Sequence, residues 1–357
     1  MNFLFSIAIY NLLFFTGRGF AISVSKLFGI KLKESLFGVF HENFYIIYTL
    51  FLIGNLSFLL NFFTPINKFI VLIPISIFLF FNFGNSLSST KRNYYLISNF
   101  CIPFALTFST FDIGFHYDAA LYHLNFQNWL LNEKIVYGIS NIYAPFGLSS
   151  INDYILSNFQ ISGNFVVLHF LNIAILTSLF SLLFSIIFFD NKSSYKFAGL
   201  FVLFFCFFDN FGINGGRNGF LYVQGVTKQD IAVGVIFFIL CRSIIVQIYK
   251  NKINEDDLFI VVLLSLLIIQ IKLSSISIVF LLIYYLYFIF KNTDIGFKKI
   301  IQTNILSGIF GFLWLTKQYI TTGCLIFPVN FTCRNNFDWY SKNSTESYEA
   351  ITVNSSY

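Results

Sequence analysis

The stretch Asp257-Leu-Phe-Ile-Val-Val-Leu-Leu-Ser-Leu-Leu-Ile-Ile-Gln-Ile-Lys-Leu-Ser-Ser-Ile-Ser-Ile-Val-Phe-Leu-Leu-Ile-Tyr-Tyr-Leu-Tyr-Phe-Ile-Phe290 decides how the chain is arranged. Read without a break it is one long apolar helix; broken at Lys272-Leu-Ser-Ser275 it is a hairpin of two. A hydrocarbon core about 30 Å thick takes about 17 to 25 residues of helix, so two shorter spans and one over-long span are the alternatives. The choice sets which side of a bilayer every other loop faces.

Similar apolar runs fill the rest of the chain. Over 357 residues, 57% are hydrophobic and only 11% charged, and the mean hydropathy is +0.74. A water-soluble domain does not carry that balance, so the chain reads as an all-α, polytopic transmembrane bundle. Ten spans are expected, at about residues 2 to 16, 44 to 63, 66 to 84, 94 to 111, 161 to 189, 196 to 208, 230 to 249, 257 to 271, 274 to 290 and 299 to 316. Residues 2 to 16 lack the basic start and small-residue cleavage site of a signal peptide and count as a span.

Lysine and arginine orient such a bundle, because cytoplasmic loops collect them. With the 257 to 290 hairpin and a cytoplasmic first loop, fourteen of the 22 fall inside and eight outside. One long span removes that bias, so the hairpin is preferred. Four polar segments then face outward: 112 to 160, 209 to 229, 270 to 275, and 317 to 357. The inner loops carry most of the net charge of +6, which points to an anionic lipid surface and not to nucleic acid. The domain reading is a transmembrane domain of residues 1 to 316 and an outer segment of 317 to 357. The loop of 112 to 160 interrupts the first, and the second lacks a closing element, as a truncated protein would.

The long outer loop carries Phe111-Asp-Ile-Gly-Phe-His-Tyr-Asp-Ala-Ala-Leu-Tyr-His123. From Asp118 to Leu131 the pattern predicts an amphipathic helix in the membrane interface, with Leu121, Leu124, Trp129 and Leu131 on the apolar side and Gln127, Asn128 and Asn132 on the polar side. A second amphipathic stretch is expected around Asp153 to Phe159. Asp118 admits two readings: a side chain capping the helix, or a carboxylate that takes a proton from a hydroxyl or holds a divalent cation. His116 and His123 flank it, but all three converge only if residues 116 to 118 are extended, so no metal site is assigned. Asp230, at a span start, pairs with Lys272 or Arg217 or is simply an interfacial charge; a lysine at a span end, as Lys272 is, is costly unless paired.

Other motifs exclude chemistry. Gly212-Ile-Asn-Gly-Gly-Arg-Asn-Gly219 lacks the preceding strand and the Gly-Lys-Ser/Thr ending of a nucleotide loop. The five cysteines form no CxxC pattern. Cys324 and Cys333 share an outer segment and could pair on an oxidising side. Transporters hold ionisable groups near mid-span and often contain an inverted repeat; here the charges sit at span ends and no repeat is visible.

Tyr117-Asp-Ala-Ala-Leu-Tyr-His123, Trp129, Tyr137-Gly-Ile-Ser-Asn-Ile-Tyr-Ala-Pro-Phe-Gly147, Thr227-Lys-Gln-Asp230, Ile271-Lys-Leu-Ser274 and Phe337-Asp-Trp339, in that order, resemble a family of bacterial multi-spanning proteins from surface-polysaccharide gene sets. That family is similar in layout to GT-C glycosyltransferases. The resemblance covers about residues 110 to 340. It implies an inner-membrane enzyme with its active loops on the periplasmic face, a polyprenyl-phosphate sugar donor and a glycan or lipid acceptor. In that frame Asp118, His123 and His116 are the catalytic candidates. Tyr117, Tyr122, Trp129, Arg217, Lys228, Asp230, Lys272 and Arg334 are the substrate-binding candidates. A polysaccharide polymerase or ligase would use the same loops; a lipid or solute transporter is the alternative of a different class.

Overall fold

The computed structural model describes residues 2–29, 35–36, 39–82, 92–112, 115, 118–160, 165–190, 192–210, 227, 229–250, 255–293, 295–334 and 337–354. Among the described residues the chain is helical, apart from one antiparallel pair of two-residue strands, Ser35–Leu36 and Val39–Phe40. Five helical stretches are long and apolar enough to cross a membrane: Asn2–Phe28, His41–Asn61, Val166–Phe189, Asp230–Tyr249 and Leu273–Asn292.

The deciding stretch forms two helices. Numbering the α-helices in chain order, α11 (Glu255–Ile271) stops at Lys272, whose backbone is extended at φ −150° and ψ 123°. A 3-10 turn, Leu273–Ser277, then leads into α12 (Ile278–Asn292). The Ser150 hydroxyl donates to the Ile271 carbonyl at 2.5 Å, occupying an acceptor that the end of a helix leaves over.

The first helix corrects the expectation of a span ending near residue 16: α1 (Asn2–Phe28) runs on through Gly17 and Gly19. These glycines are contact points, not breaks. A methyl group at Gly17 would run into the Tyr45 carbonyl of α2 (Tyr45–Asn61), and one at Gly19 into the Phe78 carbonyl of α3 (Lys68–Phe80). Small residues allow such close backbone approach between membrane helices. The Thr49 hydroxyl donates to the Leu13 carbonyl at 2.5 Å, so α1 and α2 run antiparallel.

Residues 92–112 form one interrupted helix: α4 (Arg92–Leu96), a π-turn (Ile97–Cys101), α5 (Ile102–Leu106) and a 3-10 turn (Thr107–Asp112). At the centre, α8 (Val166–Phe189) is buried along almost its whole length. A helix apolar on every side belongs in such a position, and Thr177 satisfies its hydroxyl internally on the Ile173 carbonyl at 2.8 Å. Around it lie α1, α5, α9 (Ser193–Asn210) and α10 (Asp230–Lys250), while α13 (Phe297–Thr322) packs on α11. Because α13 continues to Thr322, the expected boundary at residue 316 falls inside a helix.

Helix ends sort into two groups. One joins the end of α2 to the 118–160 region (Asn61 amide to Glu133 carbonyl, 3.0 Å; Ile66 N–H to Leu130 carbonyl, 2.8 Å), to the end of α13 (Gly138 N–H to Ile320 carbonyl, 3.3 Å) and to the α11/α12 break. The other joins the start of α2 to α4 and the end of α8.

Candidate active site

The first group of ends holds the chemistry. Asp118 to Asn132 is helical as expected, but it opens with a π-turn, Ala119–His123, before α6 (Leu124–Asn132). The wider turn changes which side chains face inward. Ala119, His123, Phe126, Gln127 and Leu130 are buried, while Leu121 is 45% exposed. The predicted amphipathic pattern is therefore corrected at Gln127, which is fully buried. Its Nε2 donates to Asp153 Oδ1 at 3.0 Å and its Oε1 accepts from Gln160 Nε2 at 2.8 Å. A buried amide is tolerable when both ends are bonded.

Asp153 lies on α7 (Ile151–Ser157), where the sequence predicts a second amphipathic stretch. Every residue of α7 is buried instead. The helix is wedged against α2, where a methyl group at Gly54 would sit 2.8 Å from Ile151 Cγ1. Ser150 caps it, accepting from the Asn152 N–H at 3.1 Å.

A carboxylate so placed needs a positive or hydrogen-bonding partner. His123 Nδ1 stands 3.1 Å from both Asp153 oxygens. Burial pushes the imidazole pKa down. The Asp153 charge and hydrogen bond, with a contribution from Asp118, outweigh it and raise the pKa above 6.5, against an opposing effect of Lys272. Gln229 Nε2 closes the other side at 3.3 Å from Nδ1 and 3.4 Å from Nε2.

Asp118 begins the π-turn with helical backbone, φ −72° and ψ −15°, and its side chain makes no capping hydrogen bond. The capping reading is thereby removed. The carboxylate instead bonds the Tyr122 hydroxyl, whose pKa is raised first by burial and then by the charges of Asp118 and Asp153. The Tyr122 ring lies 4.2 Å from the His123 ring, centroid to centroid. Lys272 Nζ meets Asp230 Oδ1 at 2.6 Å, with each side chain 44% exposed. From α14 (Lys342–Asn354), Tyr348 reaches the same corner. Burial first, then the charges of Tyr143 and Asp118, raise its hydroxyl pKa.

Asp118, Tyr122, His123, Asp230 and Lys272 are thus neighbours. Trp129 is not among them: it lines a separate cavity of about 10 Å³ with Ser149 and Lys317. Arg334 is exposed beside the Cys324–Cys333 disulfide, its N–H donating to the Gly323 carbonyl at 3.0 Å. Lys317, the first residue of the segment expected to face outward, is 1% exposed, bonded to Ser149 and to Gln318 Oε1 at 3.2 Å, with Nζ 4.5 Å from the Trp314 ring. Long apolar stem and aromatic walls explain why it points inward. His116, Tyr117, Arg217, Lys228 and the Gly212 to Gly219 loop lie outside the described residues.

Sequence reasoning missed Asp153, Gln127, Gln160 and Gln229 as site members. The signal for the first was present: an acid inside Ile151-Asn-Asp-Tyr-Ile-Leu156 must find a partner if that run is buried. Among the described residues no three of His, Cys, Asp and Glu converge as metal ligands.

A family model described as Domain of unknown function (DUF8201) matches residues 1–356. The chain belongs to this family. No curated protein and no solved structure matches it. In this DUF8201 chain the chemistry available is proton transfer: an oriented imidazole, a carboxylate bonded only a helical turn away, and a lysine at the exposed rim.

Proposed function

We propose that this DUF8201 protein is an integral-membrane glycosyltransferase of GT-C type with ten spans. In this reading it transfers a sugar from a polyprenyl-phosphate donor to a glycan or lipid acceptor at the periplasmic face of the inner membrane. The observation that carries this reading is that Asp118 and Lys272 lie within electrostatic reach of the Asp153-held His123 at one end of the helices.

Asp118 takes the proton of the acceptor hydroxyl as that oxygen bonds the anomeric carbon. The bond from that carbon to the donor phosphate breaks, and Lys272 faces the charge left on the phosphate. His123, fixed by Asp153, is the second proton-carrying group, and Tyr122 sets the position of the Asp118 carboxylate. A divalent cation held by Asp118 is the alternative to direct proton transfer, with the same displacement.

Transfer of radiolabelled sugar from a polyprenyl-phosphate donor, compared between wild-type and Asp118→Asn protein, tests the proposal. General-base catalysis contributes about 10²- to 10⁴-fold, and a loss of that order is expected. Equal turnover sinks it.

A further inference from the structure

A groove of about 730 Å³ lies between α11, α12 and α13, away from the candidate active site. Its walls are apolar, among them Leu266, Ile269, Leu286 and Ile309. Three features make it more than a seam between helices. Gly308 opens the floor: a side chain there would meet nothing within 4 Å. Ser307, 3% exposed, lines the groove with its hydroxyl unpartnered, and the Asn304 Oδ1 beside it is likewise without a donor. Leaving a buried hydroxyl unbonded is unfavourable, so an occupant that accepts from Ser307 is favoured.

The third feature is charge. The groove runs along α13 from Ile300 to Leu313, and its Ile300 end abuts the α12/α13 turn. Lys291 and Lys298 flank that turn, both exposed and without an acidic partner among the described residues. No acidic residue lines the groove. Nine residues, about 14 Å of helix rise, separate Lys298 from Ser307. The lysine side chain, the glycerophosphate between phosphate and ester carbonyl, and the hydrogen bond to Ser307 together span that length.

We propose that the groove holds an anionic diacyl phospholipid. Its acyl chains lie along α11 and α13, an ester carbonyl accepts from Ser307, and its phosphate sits at Lys291 and Lys298. The site depends on the membrane reading of these helices and not on the transferase reading.

Full-length protein in nanodiscs is photolabelled with phosphatidylglycerol carrying a diazirine in one acyl chain, and the labelled peptides are identified by mass spectrometry. Labelling is expected within Val262–Ile269 and Ile300–Leu313. It should exceed that by a phosphatidylcholine analogue, and Gly308→Leu should abolish it by filling the floor. Lys291→Gln and Lys298→Gln should each lower the preference for phosphatidylglycerol about five-fold, the effect of one lysine near a lipid surface. Circular dichroism and size exclusion confirm that each variant is folded. Equal labelling by both lipids, or a preference untouched by the lysine variants, overturns the proposal. So does displacement of the probe by polyprenyl phosphate at lower concentration than by phosphatidylglycerol, which would make the groove a place for the proposed donor's tail.

Discussion

Both ends of the helix assembly bury polar side chains, and they pair them differently. At the end formed by α2, α4 and α8, tyrosine hydroxyls do the fastening. Tyr48 bonds His41 at 2.9 Å, Tyr94 donates to Asn43, and Tyr95 donates to Glu42 at 3.0 Å. Tyr285 on α12 donates to Gln247 on α10 in the same manner. At the opposite end a carboxylate meets an imidazole and an amide, and these come from short helices of one long loop. A neutral hydroxyl is buried at modest penalty once bonded, whereas a charge is not. The first end has the chemistry of a clamp. Glu42 and His41 are buried there too, but each is bonded by a tyrosine hydroxyl, whereas at the second end the carboxylate and the imidazole are bonded to each other.

Asp153→Ala is the strongest way to break that contrast. Removing one partner of a buried charged pair is expected to lower stability by about 3 to 5 kcal/mol, read as a lower thermal midpoint in a fixed detergent. The variant also tests pH. Because the folded His123 pKa is raised above 6.5, its contribution to stability is fully present below 6.5 and fades as pH rises through the folded value. In Asp153→Ala this fading above pH 6.5 should vanish; its persistence would assign it to another group.

Lys317 sharpens the same point from the far side of the loop. It is as buried as Asp153 but makes no ion pair among the described residues, leaning on Ser149, Gln318 and Trp314. Lys317→Ala should lower stability by about 2 to 4 kcal/mol through the void it leaves. Lys317→Met, which keeps the volume, should be close to neutral. If Met is as harmful as Ala in thermal melts, the ammonium itself is required.

Much of the architecture was legible because apolar runs have lengths that physics constrains. The break at Lys272 follows from the bias of lysine and arginine toward one side, and the cost of leaving a lysine unpaired at a helix end made Lys272 one of the two partners open to Asp230. The loop was less legible for two identifiable reasons. A π-turn at Ala119–His123 alters the periodicity on which an amphipathic assignment rests, and so Gln127 changed sides. The helix α7 is buried by neighbours from α2, α6 and α11, a tertiary enclosure that a seven-residue segment does not announce. The length of α1 was misread because glycine marks both turns and close packing, and sequence does not separate the two.

Tyr94→Phe probes the clamp. Loss of one neutral hydrogen bond to Asn43 should lower stability by about 1 kcal/mol. Sugar transfer should stay at the wild-type rate, since Tyr94 is remote from the proposed site. A large loss of transfer in a protein of near-normal stability would mean that the two ends are coupled, and the division of labour between them would fail.

Lys272→Gln has the smallest expected effect on stability and separates fastening from function most cleanly. Its pair with Asp230 is nearly half exposed, and solvent screening leaves such pairs worth about 0 to 1 kcal/mol, so the melting temperature should hardly move. On the proposed function the donor phosphate meets this same ammonium. The KM for the polyprenyl-phosphate donor should therefore rise roughly ten-fold, the order expected for losing one charge-assisted hydrogen bond. The effect should shrink as salt is added, because an exposed charge is screened within about 10 Å at 0.1 M ionic strength. An unchanged KM would leave Lys272 as a partner of Asp230 and nothing more, and would move the search for the phosphate-binding cation to Arg217 and Lys228.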